Sequence, residues 1–145
     1  MTSGCVVTQV DFYTGAANKL LVGCRLCEKA MQQKLKTRVD VTDAVVASQL
    51  NKLLWTFSPT SFVPHCLASD KLAEVTPVVL CVEPMQTDAD RYDVLLNLGS
   101  EVPPGAEFVK RIIEVVDETD QDKQLARKRY RHYQAQGYEI HHHRL

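Results

Sequence analysis

The sequence predicts a single α/β domain in three layers, with a mostly parallel central sheet and helices on both of its faces. Strand-like and helix-like segments follow one another in the order β-α-β-α-β-β-β-α. Residues 77–82 are apolar throughout, which is typical of a strand that is covered on both faces. A length of 145 residues is common for one domain. We therefore expect the domain to span residues 1–138, followed by a flexible tail at residues 139–145.

The first half of the chain predicts two strands, two helices and one extended segment. β-Branched and aromatic residues predict a first strand at 5–13. Residues 16–35 are predicted to be helical because apolar residues recur on one face at helical spacing, namely Leu20, Cys24, Cys27 and Met31. Further segments are expected as a strand at 37–41, a helix at 43–55 and an extended segment at 62–67.

The second half predicts three further strands and a terminal helix. The strands are expected at 77–82, 92–98 and 108–116. Thr119 followed by Asp122 three residues later indicates a capping box, in which each residue bonds the backbone of the other. The helix should run to about residue 136, and Gly137 should end it in the left-handed conformation.

The composition favours a protein of the reducing cytosol. The net charge of −1 gives no general attraction to nucleic acid. Five cysteines, an odd number, indicate reduced thiols rather than a disulfide framework. The first residues lack the pattern of a signal peptide, and no apolar run approaches the roughly 18 residues that cross a bilayer. We expect a cytoplasmic protein without membrane contact.

The sequence contains no motif for a cofactor, a metal or catalysis. Residues 15–20 lack the second glycine and the hydroxyl of a P-loop, so no nucleotide site is expected. Cys24 and Cys27 have no second close pair that would complete a zinc site, and we expect them to be core thiols. His141, His142 and His143 are expected to be solvated. We therefore expect no cofactor, no bound metal, no catalytic residue and no enzymatic activity.

One candidate binding surface lies on the C-terminal helix. Five basic side chains and no acidic one occur between Lys123 and Arg131. Lys123, Arg127 and Arg131 are spaced to form one ridge along the helix, and Tyr130 and Tyr133 lie on the neighbouring stripe. This pattern fits a ligand with carboxylates and a hydrophobic end. The alternative is a solvated face whose tyrosines cover the sheet.

A second candidate surface follows the predicted second helix. Trp55, Phe57 and Phe62 occur close together with Pro59 and Pro64. So many aromatic side chains in a short loop form either a packed corner or an anchor for another protein, and the sequence leaves both open.

Three sequence blocks resemble one known family. They are Leu54-Trp55, the Ser-Phe-Val-Pro-His block at 61–65, and the Lys-Gln-Leu-Ala-Arg-x-Arg-Tyr block at 123–130 with Tyr133 and Gly137 after it. Together with the length and the element order, they are similar to the chi subunit of bacterial DNA polymerase III holoenzyme. Residues 70–107 depart most from the family, and nothing is carried over there.

The resemblance implies a Rossmann-like, non-catalytic accessory subunit of the clamp-loader assembly. Such a subunit pairs with the psi subunit and grips the acidic C-terminal tail of single-stranded DNA-binding protein (SSB), which ends in Ile-Pro-Phe. It would contact DNA only through SSB, and a helicase is a further partner that the resemblance leaves open. The matching residues are Lys123, Arg127, Tyr130 and Arg131 for the SSB tail, and Trp55, Phe62 and Pro64 for psi.

Two other functions compete with this one. The basic helix could bind single-stranded nucleic acid directly, although that needs several stacking aromatic side chains. The chain could also be a small α/β enzyme with an unrecognised pocket.

Overall fold

The computed structural model describes residues 8–41, 43–82 and 91–145. The strands are β1 (Gln9–Ala16), β2 (Thr37–Asp40), β3 (His65–Leu67), β4 (Val78–Cys81), β5 (Val94–Asn97), β6 (Arg111–Asp117) and β7 (Glu139–Arg144). The α-helices are α1 (Lys19–Gln32), α2 (Ala44–Thr56) and α3 (Asp120–Ala135). Single 3₁₀ turns lie at Ala73–Val75 and Ala106–Phe108.

The strands form one sheet in the order β3-β4-β2-β5-β6-β1-β7, and each neighbouring pair is parallel. Alternate residues of the central strands belong to two separate cores. Leu96 and Ile113 pack in the core that includes residues of α1 and α2, whereas Leu95 and Ile112 pack in the core that includes residues of α3. Helices therefore cover both faces, and the predicted α/β class with a mostly parallel sheet is confirmed.

Polar caps set where the first two helices begin. The Asn18 side chain accepts a hydrogen bond from the Leu21 N–H at 3.2 Å, so α1 starts at Lys19 and not at residue 16 as predicted. Asp43 caps α2 in the same way, accepting from the Val46 N–H at 2.9 Å. Cys24 and Cys27 of α1 are fully buried, which confirms the apolar face that their spacing predicted.

The ends of α3 agree with the prediction, but its capping box is only half formed. Thr119 Oγ1 accepts from the Asp122 N–H at 3.2 Å. The return bond differs, because the Thr119 N–H donates to Asp117. The Asp122 carboxylate instead accepts from the Asp117 N–H at 2.9 Å and from Lys19 Nζ at 3.2 Å. Gly137, with φ of 76°, follows the helix as predicted.

The prediction of a flexible tail at residues 139–145 is wrong, because residues 139–144 form β7. This strand pairs with β1 at six positions, from Gln9 opposite Glu139 to Thr14 opposite Arg144. Its side chains are mostly exposed, and Ile140 packs against the core beneath α3. Backbone hydrogen bonds to β1 hold the segment, and these leave no hydrophobic pattern in the sequence.

Predicted and observed strands differ in extent at three places, and the strand expected at 108–116 begins only at Arg111. The first strand was expected from residue 5, but residues 5–7 lie outside the described residues, and β1 continues to Ala16. The segment at 62–67 is a strand only at His65–Leu67. Within the described part of the chain, no helix has the length and apolar character that crossing a membrane requires.

Candidate functional site

A groove of about 400 Å³ lies beside α3, which we call the α3 groove. Three strands and one helix line it. The strands contribute Phe12, Thr14 and Gly15 from β1, Val116 and Asp117 from β6, and His142 from β7. The helix α3 contributes Lys123, Ala126, Arg127 and Tyr130. The floor is apolar, and charged side chains lie along its rim.

The cations and the tyrosine of the groove come from successive turns of α3. Lys123 and Arg127 are exposed, and neither forms an ion pair with another described residue. Tyr130 is 42% exposed, and its ring centroid lies 5.6 Å from that of Phe12. The structure thus brings together three of the four residues predicted for the SSB tail. The fourth, Arg131, is exposed but does not line the groove.

Two other residues of the pattern on α3 are buried, and Tyr133 covers the sheet, as the alternative interpretation of the tyrosines expected. Arg129 is 2% exposed and Tyr133 is fully buried. Both donate to the buried Glu114 of β6, Arg129 Nε at 2.9 Å and the Tyr133 hydroxyl at 2.6 Å. Asn97 Nδ2 donates to the same carboxylate at 3.0 Å. The basic face of α3 therefore has one cation fewer than the sequence suggested.

This buried network fixes which side of α3 faces the groove. Burial raises the pKa of the Glu114 carboxyl, while the Arg129 charge and the hydrogen bonds from Tyr133 and Asn97 act to lower it. Removing one partner of such a network would leave a buried polar group unpaired, at a cost of several kcal/mol. Because Arg129 and Tyr133 are held on the sheet, Lys123, Arg127 and Tyr130 are turned toward the groove.

The three consecutive histidines belong to strand β7, and their side chains are exposed, as expected. His143 Nε2 lies 2.9 Å from Asp11, and its ring stacks on Tyr13. His142 Nε2 lies 2.7 Å from Thr14 Oγ1 and lines the α3 groove. Sequence reasoning missed His142 because it depends on recognising β7. The spacing of Ile140 and His142 places both side chains on one face of a strand, but it identifies His142 only once β7 is recognised.

The second predicted surface is an exposed aromatic patch on the far side of the sheet. Trp55 and Phe62 are 57% and 56% exposed, with ring centroids 5.2 Å apart. The His65 ring lies 5.1 Å from Trp55, and Pro64 is half-buried beside it. Val63 is fully buried and fixes the loop to the core. Trp55, Phe62, Pro64 and His65 form what we call the aromatic surface, which adjoins edge strand β3.

The two cysteines of the possible zinc site and the lysine of the possible nucleotide site have other roles in the fold. Burial raises the pKa of the Cys24 thiol to about 12, and Cys27 is also fully buried, so both are core thiols as predicted. Lys19, the lysine of the segment after β1, pairs with Asp122 at 3.2 Å. Across residues 8–41, 43–82 and 91–145, no three His, Cys, Asp or Glu side chains are grouped as metal ligands would be.

Comparisons with known proteins agree on one family. A family model described as DNA polymerase III chi subunit, HolC, matches residues 7–141. The chi subunit of Pseudomonas aeruginosa is 35% identical over 143 residues, covering 96% of this chain and 98% of that protein. The chi subunits of Haemophilus influenzae and Escherichia coli are each 27% identical, covering 82% and 81% of this chain and 82% and 79% of their own lengths.

A comparison with solved structures shows a similarity in fold only. The C-terminal domain of Dbp5 from S. cerevisiae is similar with a TM-score of 0.58 at 9% sequence identity, covering 96% of this chain and 89% of that one. At such low identity this similarity carries no functional argument. The family match over nearly the whole length carries the assignment: the chain belongs to the DNA polymerase III chi subunit family.

Proposed function

We propose that this protein is a non-catalytic adaptor in DNA replication, which links the polymerase III clamp-loader assembly to SSB. It grips the SSB C-terminal tail in the α3 groove and pairs with the psi subunit through the aromatic surface. The observation that carries the proposal is the groove itself, where two cations that have no ion-pair partner among the described residues border an apolar floor. The protein acts in the cytoplasm, needs no cofactor and reaches DNA only through SSB.

The chemistry of the groove matches an acidic peptide that ends in a hydrophobic residue. The Arg127 guanidinium can hold a carboxylate through two parallel hydrogen bonds, and Lys123 adds a point charge one turn away. Tyr130 and Phe12 offer a wall and a floor for the terminal phenylalanine of the tail. Arg131 lies further along α3 and would reach only the acidic part of the tail outside the groove.

The aromatic surface has the composition of a protein-binding anchor. Trp is among the residues that most often dominate binding energy at interfaces, and Phe is enriched there. Trp55 and Phe62 expose more than half of their area although Val63, next in the chain, is buried. A second protein that covers them would remove that apolar area from water, and psi is the partner that the family implies.

Direct binding of single-stranded nucleic acid through α3 has less support. It requires several exposed aromatic side chains on which bases stack. Burial of Tyr133 leaves Tyr130 as the exposed tyrosine of α3, and burial of Arg129 removes a cation.

The substitution Arg127→Ala tests the SSB-tail site. It should remove a charge-assisted hydrogen bond of about 1.5–3 kcal/mol, which is roughly a 10- to 150-fold loss of affinity for the tail peptide. Titration of the peptide at low and high salt measures this loss, and wild-type binding should weaken with salt because exposed ion pairs are screened.

Lys128→Ala is the matched control, because Lys128 is an exposed neighbour on α3 that does not line the groove. It should change the affinity by less than about fivefold. Both variants should unfold at the wild-type temperature. Equal affinities of Arg127→Ala and wild type, or no loss when the terminal Phe is removed from the peptide, would rule out this site.

A further inference from the structure

We infer that His142 is a further recognition residue of the α3 groove, which binds a carboxylate of the SSB tail in its protonated form and so makes tail binding stronger as pH falls. This inference rests on the proposed function, because it concerns the same groove and the same acidic ligand.

The position of His142 supports a direct contact with a ligand in the groove. His142 lies opposite Phe12 in the β1–β7 register, and Phe12 forms part of the groove floor. Its ring therefore borders the groove from the sheet edge, whereas Lys123 and Arg127 border it from α3. A peptide held between these two sides would meet cations on one side and His142 on the other.

His142 differs from its two neighbours in what it already binds. His141 pairs with Glu139, and His143 pairs with Asp11, each at 2.9 Å. Among the described residues, His142 has no carboxylate within ion-pair distance, and its hydrogen-bond partner is the neutral Thr14 hydroxyl at 2.7 Å. A protonated His142 can donate one N–H to Thr14 Oγ1 and keep the other N–H for a ligand.

The other charged groups around the groove make an anionic ligand the natural partner of a protonated His142. Lys123 and Arg127, with Tyr130, face it from α3, and Arg144 follows it on β7. Asp117 at the end of β6 is the acidic residue of the lining, but its carboxylate accepts from the Thr119 N–H and hydroxyl at 2.8 and 2.6 Å. Uptake of a proton beside two cations is favourable when a carboxylate binds at the same time, so binding and protonation are coupled.

Titration of the acidic tail peptide at pH 6, 7 and 8 tests this coupling. Wild-type protein should bind about three- to fivefold more tightly at pH 6 than at pH 8, which is the range expected for a partly exposed ion pair. His142→Gln keeps a side chain that can hydrogen-bond and should show no pH dependence. His142→Lys, which is permanently charged, should bind at pH 8 as tightly as wild type does at pH 6.

His141→Gln is the matched control, because His141 is exposed on the other face of β7 and is paired to Glu139. This variant should keep the wild-type pH profile, and all variants should unfold at similar temperatures. Wild-type binding at pH 7 should also take up a fraction of a proton, measured as heats that differ between buffers of different ionisation enthalpy. Binding that depends on Arg127 but has the same pH profile in His142→Gln and wild type would overturn the role of His142 alone. Absence of tail binding at every pH would overturn both this inference and the proposed function.

Discussion

Asp11 connects three strands through one buried carboxylate. Arg111 Nε of β6 and His143 Nε2 of β7 each lie 2.9 Å from it, on either side of β1. Burial alone would raise the pKa of this carboxyl, but the hydrogen bonds from His143 and Arg111 and the charge of Arg111 outweigh it, and the pKa is lowered from 3.8. The carboxylate is therefore more stable in the folded protein than in the unfolded chain.

The substitution Asp11→Asn should destabilise the protein in a pH-dependent way. Because the pKa is lower in the folded state, the stabilisation is complete well above pH 3.8 and is lost as pH falls through the folded pKa. We expect a loss of about 1–3 kcal/mol at pH 7, and a smaller difference from wild type at pH 3, both measured by urea unfolding. Glu118→Gln, at an exposed position, should have little effect at either pH. A loss of the same size at pH 7 and pH 3 would contradict the assigned cause.

Residue identity alone did not show which bases of α3 are buried. Lys123, Arg127 and Arg129 belong to one basic run, and only a partner on another element distinguishes Arg129. That partner is Glu114, the acid in the middle of the apolar strand β6. A charged residue within such a strand needs a buried counter-charge, so Glu114 was the signal that a basic residue elsewhere must be buried.

Edge strand β7 could not be recognised from its own side chains. It contains three histidines, a glutamate and an arginine, with Ile140 as its apolar residue. Both of its faces are largely exposed, so hydrophobic alternation is missing. The polar side chains have a physical role, since charged and polar groups on an edge strand discourage pairing with other chains. In contrast, β4 and β5 are buried along their whole length, and their positions were predicted to within about two residues.

Proline substitutions in β7 should show how much of the strand's stability comes from its backbone hydrogen bonds rather than from its side chains. The Glu139 N–H donates to Thr8 and the Leu145 N–H donates to Thr14, so N–H groups at odd positions face β1 and those at even positions face outward. His141→Pro removes an inward N–H and should cost about 1–3 kcal/mol. Arg144→Pro removes an outward N–H and should cost much less. Thermal unfolding and hydrogen exchange at His143 measure the difference, and equal costs would mean that the strand does not pair with β1 as described.

The order of strands places the two proposed binding surfaces at opposite edges of the sheet. The aromatic surface adjoins β3 and the α3 groove adjoins β7, with five strands between these edges. At about 4.8 Å between neighbouring strands, the edges are separated by roughly 29 Å. The sequence supported the α/β class and named residues of both surfaces, but strand order depends on pairings between distant segments. It therefore could not show how the two surfaces are arranged.

This separation leads us to expect that psi and the SSB tail bind independently. Sites that share no residues and lie far apart usually have additive energies, within about 0.5 kcal/mol. The affinity of the tail peptide should therefore change by less than about twofold when psi is bound. Calorimetric titration of the peptide into the free protein and into its complex with psi measures this change.

Variants at each edge complete the test of independence. Trp55→Ala should weaken psi binding by roughly 30-fold or more, since truncating an interface tryptophan commonly costs at least about 2 kcal/mol, and should leave the affinity for the tail peptide unchanged. Arg127→Ala should do the reverse, and the double variant should show both losses in full. Because Trp55 is more than half exposed, its truncation should barely lower the unfolding temperature. A change of tenfold or more in tail affinity upon psi binding would show that the two edges communicate through the sheet, which the close packing of the strands between them gives no reason to expect.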